Sequence, residues 1–162
     1  MPLTAGAVAP PFKLLDGTGA PRSLAELTAE GPALLAFFKT SCPTCRLAFP
    51  VVAELERRYG DAVPVVAVTQ SDLATTLPWL DEHGFAGPVL DDERARFQVS
   101  AAYGVTSVPT LVLVDGGRVI ATGEAWDRER MNRWAAELGA LTGREAPPVS
   151  TEGDGRPVFK PG

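Results

Sequence analysis

Cys42-Pro43-Thr44-Cys45 sets two thiols three positions apart, and they are the only two cysteines in the chain. The pair follows the apolar run Ala33-Leu34-Leu35-Ala36-Phe37-Phe38. A strand that delivers Cys-x-x-Cys to the start of a helix is a device for making and breaking a disulfide. Free N–H groups and partial positive charge at the helix N-terminus favour the thiolate, which is the nucleophilic form. The expected chemistry is thiol–disulfide exchange, with Cys42 attacking and Cys45 resolving. The alternative is a structural pair or a metal site. Zinc takes about four ligands, whereas the chain offers the two cysteines and one histidine, His83. No bound cofactor is implied, because the cysteine pair itself carries the electrons.

The elements that must position this pair are read from periodicity and turn residues. Residues 8–15 read as a short strand before the turn Asp16-Gly17-Thr18-Gly19. Ser23 and Glu26 have capping-box spacing at the start of a short helix. The continuous apolar run 33–38 suits a strand covered on both faces. Leu47, Val51 or Val52, Leu55 and Tyr59 recur at helical spacing up to Gly60, with Pro50 inside the helix. Residues 63–68 form a second buried strand. A helix over 72–83 contains Pro78 and stops at Gly84, residues 88–90 are extended, and 91–103 is partly helical. Residues 110–114 and 118–122 flank Asp115-Gly116-Gly117 as a hairpin. The last helix, 127–141, presents Met131, Trp134, Leu138 and Leu141 as its buried face. The order βαβα followed by ββα implies an α/β fold with a central mixed sheet flanked by helices.

Composition narrows the function. The 162 residues are 45% hydrophobic and carry a net charge of −5, which suits one globular domain with a real core. No basic patch points to nucleic acid. No apolar run approaches the roughly 20 residues needed to span a bilayer. Residues 1–10 lack the basic start and strong apolar stretch of a signal peptide, so a cytoplasmic location is expected, export of a longer precursor aside. Cysteines in that compartment are catalytic or metal-binding more often than structural.

Four features together resemble the thioredoxin superfamily, in its branch of TlpA-like and redoxin-type thiol–disulfide oxidoreductases. They are the strand–CxxC–helix unit 37–46, Pro50 five residues after the second cysteine, the segment Tyr103-Gly104-Val105-Thr106-Ser107-Val108-Pro109-Thr110, and the following hairpin and terminal helix. The likeness covers residues 8–141. It implies a thioredoxin-like domain over 1–142, while residues 143–162 have little to bury and read as a flexible or extended C-terminal tail. It also implies that Pro109 is cis, although isolated X–Pro bonds are cis in only about 5% of cases. A cis bond there turns the Val108 backbone towards the sulfurs, where it pairs with an extended substrate segment. Pro43, Thr44, Val108 and Pro109 thus support the Cys42–Cys45 site.

Three positions depart from that family. Ser41 replaces the usual Trp before the first cysteine, which leaves the thiol more exposed. Ala36 and Ala48 stand where classical thioredoxins and many TlpA-like reductases carry an acid that manages the resolving thiol's proton. His83 reads as a helix-end residue, Trp79, Trp126 and Trp134 as packing residues, and Asp72, Asp91 and Asp92 as caps or solvated charges.

The leading function is a disulfide reductase working as a monomer on protein or small-molecule disulfides. An upstream dithiol donor recharges it, and neither nucleic acid nor membrane takes part. A peroxiredoxin-like thiol peroxidase is the first alternative. It normally has Thr or Ser three residues before its reactive cysteine, where this chain has Lys39, with Thr40 one position off. The second alternative is a redox-switched binding module, in which Phe159-Lys160-Pro161-Gly162 folds back across the site.

Overall fold

A computed structural model describes all 162 residues. The elements run β1 (Lys13–Leu15), β2 (Pro21–Ser23), α1 (Leu24–Leu27), β3 (Ala33–Phe38), α2 (Pro43–Tyr59), β4 (Val65–Thr69) and α3 (Leu73–Glu82). They continue β5 (Val89–Asp91), α4 (Gln98–Ala102), β6 (Thr110–Asp115), β7 (Arg118–Glu124), β8 (Trp126–Asp127), α5 (Arg128–Thr142) and β9 (Phe159–Lys160). The central sheet has five strands in the order β5-β4-β3-β6-β7. β3 pairs parallel with β4 and antiparallel with β6, so the sheet is mixed. This is the expected thioredoxin-like architecture.

Every residue of β3 and β4 is buried, which requires cover on both sheet faces. Neighbouring strand residues point to opposite faces, and the two phenylalanines of β3 anchor the two halves of the core. Phe37 meets Tyr103 at a ring separation of 5.7 Å. Phe38 meets Phe49 of α2 at 4.3 Å and stacks on Trp79 of α3 at 5.3 Å. No helix is long and apolar enough to cross a membrane.

Local chemistry sets the element ends. Ser23, Asp72 and Asp127 accept the N–H groups of Glu26, Thr75 and Arg130, capping α1, α3 and α5. Gly116 and Gly117 both have positive φ, 55° and 74°. That conformation is the one a two-residue hairpin turn requires, and glycine adopts it freely.

The structure corrects the expected extent of the first strand and the burial of Leu141, and it narrows two other expectations. Only residues 13–15 of the expected 8–15 strand join a ladder, with Val8 making an isolated bridge to Arg118. Pro10 and Pro11 lack the N–H that a ladder needs. Only Gln98–Ala102 of the 91–103 stretch is helical, because Arg96 and Phe97 adopt left-handed φ of 58° and 63°. Asp92 is fully buried and is a cap rather than a solvated charge, since it accepts the N–H groups of Val99 and Ser100 and the Ser100 hydroxyl. Leu141 is 52% exposed. At about 100° per residue it falls about 60° from Leu138, at the edge of a stripe that Met131, Trp134, Ala135 and Leu138 fill.

Beyond Gly143 the chain runs extended over the body. Arg144 bridges to Asp61, Asn132 accepts the N–H of Ser150, and Arg128 ties the turn at Asp154. The Trp126 indole N–H donates to the Pro157 carbonyl at 2.7 Å. β9 then pairs antiparallel with β8.

Candidate redox site

β3 ends at the sheet edge where its parallel neighbour β4 also ends, the usual place for a site in such sheets. The loop Lys39–Ser41 turns the chain into α2, with Cys42 as N-cap in extended geometry and Pro43 in the first turn. Proline suits that position because its missing N–H would have no helical partner. The Cys42 sulfur does what a Ser or Asp side chain does at other helix starts. It accepts the Cys45 N–H at 3.3 Å. On its other side the Cys42 thiol donates to the Val108 carbonyl oxygen at 3.4 Å.

The Val108–Pro109 bond is cis, and the Val108 carbonyl faces the Cys42 sulfur, as the resemblance implied. Of the four supporting residues expected, Val108 meets the Cys42 sulfur directly. Pro43 and Thr44 lie between the cysteines in the first turn of α2, and Pro109 follows Val108 across the cis bond. Both cysteines are free thiols. Cys42 is 7% exposed and Cys45 is fully buried, so the first sulfur borders solvent and the second lies behind it. Ser41 does not leave the Cys42 thiol open as expected, because the Val108 backbone and Gly162 border the same cavity.

Burial pushes the Cys45 thiol well above its ordinary value of 9.0, and the adjacent Cys42 thiol adds to the effect. A backbone hydrogen bond and the charge of Lys39 pull the other way. The positions of the family's acids hold fully buried Ala36 and Ala48. The neighbours acting on the Cys45 proton are therefore a thiol and a lysine.

A cavity of about 210 Å³ opens beside Cys42, bordered by Lys39, Gln70 and the segment 105–108. Gln70 was not among the residues expected here. Its amide donates to the Ser100 hydroxyl at 2.9 Å, which in turn donates to Asp92 at 2.6 Å. The signal that points to it is its place directly after β4, beside the end of β3. His83 stands apart from this cavity. Its ring lies over Trp79 at 4.0 Å and its Nδ1 contacts the Trp79 carbonyl.

A mixed sheet that presents a dithiol at a helix N-terminus opposite a cis-proline defines a thioredoxin-fold thiol–disulfide oxidoreductase. The AhpC/TSA family model matches residues 5–122, and the chain belongs to that redoxin family. The thioredoxin-like protein YneN of Bacillus subtilis is 30% identical over 119 residues, 71% of this chain and 68% of that one. A thiol:disulfide interchange protein DsbE homologue of Paracoccus denitrificans is 33% identical over 117 residues, 69% of this chain. The match spans 62% of that relative's length. A solved Chlorobium tepidum structure, described as a candidate DsbE interchange protein, superposes with a TM-score of 0.72. It is 26% identical, with 86% of this chain and 97% of that one covered. The peroxidoxin BcpB of Mycobacterium tuberculosis, 22% identical with a TM-score of 0.70 over 88% of this chain and 99% of that one, shares the fold.

Proposed function

We propose that this oxidoreductase reduces disulfides, with Cys42 as nucleophile and Cys45 as resolving thiol. The Cys42 thiolate attacks one sulfur of a substrate disulfide, forms a mixed disulfide and expels a substrate thiolate. The Cys45 thiolate then attacks the Cys42 sulfur, closes the Cys42–Cys45 disulfide and expels the second substrate thiolate. Both leaving thiolates take up protons, so two electrons and two protons pass from the dithiol to the substrate. An upstream dithiol returns them.

The observation that carries this reading is the asymmetry of the pair. Cys42 borders solvent at a helix N-terminus, where the Cys45 N–H meets its sulfur, and Cys45 waits fully buried behind it. Protein disulfides as substrates and a dithiol donor as partner fit the interchange protein that this chain resembles. Residence in the cytoplasm and action as a monomer belong to the same proposal. The peroxidase reading needs a hydroxyl aimed at the reactive sulfur. The hydroxyl that the sequence offered for this, Thr40, goes to Ser71 at 3.1 Å instead.

The test is paired turnover of a disulfide-bonded protein and of hydrogen peroxide by the reduced chain. Disulfide reduction that vanishes in Cys42→Ser, with slow peroxide consumption, supports the reading. Rapid peroxide consumption without disulfide reduction replaces it with the peroxidase.

A further inference from the structure

The stretch Pro157–Gly162 runs along β8 and ends at the cavity beside Cys42, which Gly162 borders. It is held almost wholly by its main chain. The Pro157 carbonyl accepts from the Trp126 indole, and the Val158 carbonyl accepts the Arg128 N–H at 3.0 Å. Phe159 and Lys160 pair with β8. The Pro161 carbonyl accepts the Thr44 hydroxyl at 2.6 Å. Gly162 then lies against the Val108 backbone, so close that a Cβ there would run into the Val108 carbonyl oxygen. The side chains contribute little, since Val158 and Phe159 are 67% and 57% exposed.

Main-chain capture of an extended segment, largely indifferent to side chains, is how sheets and grooves take up peptide strands. Thr44 sits between the two cysteines and Val108 touches the Cys42 sulfur. The contacts that hold 161–162 are thus the ones an incoming strand needs. We propose that residues 157–162 occupy the substrate groove of their own protein, and that an extended disulfide-bearing polypeptide reacts by displacing them. The proposal rests on the disulfide-exchange reading of Cys42. Thr44 is the clamp in both states, donating to a main-chain carbonyl of the tail or of the substrate. Gly162 borders the same cavity as Cys42, whose exposure is only 7%.

The test is alkylation of Cys42 in the whole reduced chain, by iodoacetamide and by a bulky polyethylene-glycol maleimide, read by mass spectrometry. Gly162→Leu puts a side chain where the Val108 carbonyl blocks it and forces the segment away. Thr44→Val keeps the shape and removes one hydrogen bond, so it folds even where the first variant does not. Both are expected to speed alkylation, Thr44→Val by about fivefold, with a larger gain for the bulky reagent than for the small one. Equal rates in wild type and variants overturn the proposal. So does an equal gain for both reagents, which reports a more reactive thiol rather than a more open one. Absence of disulfide turnover in wild type and variants alike sinks the exchange reading instead, and the alkylation ratios are independent of it.

Discussion

The Cys42 sulfur lies 3.4 Å from the carbonyl oxygen of Val108, across 66 residues of sequence. The β3–α2 junction supplies the sulfur, and the segment leading into β6 supplies the oxygen. Because β3 and β6 are hydrogen-bonded neighbours in the sheet, the two junctions meet by construction. A main-chain acceptor beside the attacking sulfur gives an extended substrate something to align with.

From this follows the behaviour of the two single-cysteine variants. Cys45→Ser retains the attacking sulfur and loses the group that releases the substrate, so it should accumulate a mixed disulfide with a protein substrate. Cys42→Ser should form none. Non-reducing electrophoresis with intact-mass analysis reads the adduct. Adduct on Cys45 in the Cys42→Ser variant would reverse the assigned roles.

The Cys45 proton also links to stability. Burial raises this thiol above its ordinary 9.0, so the folded protein keeps a proton that the unfolded chain loses as pH rises past that value. The stabilisation is complete below about pH 9 and declines as pH climbs towards the folded-state value. Buried Tyr103 acts in the same direction from its ordinary 10.0. Urea unfolding under reducing conditions, from about pH 8 to about pH 10.5, should therefore show falling stability. Cys45→Ala should flatten that slope. An unchanged slope would assign the decline to other groups.

Asp92 predicts a structural effect that reaches the site. It is fully buried and accepts three hydrogen bonds from Val99 and Ser100. Asp92→Ala leaves two buried N–H groups without partners and should cost about 2–4 kcal/mol in chemical denaturation. Because Ser100 holds Gln70 at the cavity, the variant should also slow disulfide turnover under conditions where it remains folded. A cost below about 0.5 kcal/mol would mean that the turn is held by its backbone alone.

The placement of the cysteines was legible because three local signals agreed. The run 33–38 is apolar throughout, Pro43 suits a helix start, and the spacing from Leu47 to Tyr59 is helical. Val108 and Pro109 needed the family resemblance, since nothing local distinguishes a cis from a trans proline. Gln70 was marked only by its place directly after β4, and the ladder from it through Ser100 to Asp92 was not legible. Polar residues in a loop acquire a role only from the partner that folding brings near. The same holds for the contact between Thr44 and Pro161, 117 residues apart. The sequence suggested that the tail's end folds back, and gave no sign of which groups hold it.

Lys39 carries the last prediction. The family's acids are replaced by Ala36 and Ala48, and the charge nearby that favours the Cys45 thiolate belongs to Lys39. Its side chain is exposed, so solvent screens much of its effect, and a change of about threefold is the scale to expect. Lys39→Met keeps the length of the side chain and removes the charge, pushing the Cys45 thiol up further. The first step, attack by Cys42, should change less than the second, in which Cys45 releases the mixed disulfide. Rapid-quench separation of the two steps, using a disulfide peptide, reads the difference. The slowing of the second step should shrink as pH rises and Cys45 deprotonates without help. Equal slowing of both steps at every pH would mean that Lys39 serves substrate binding rather than the resolving thiol.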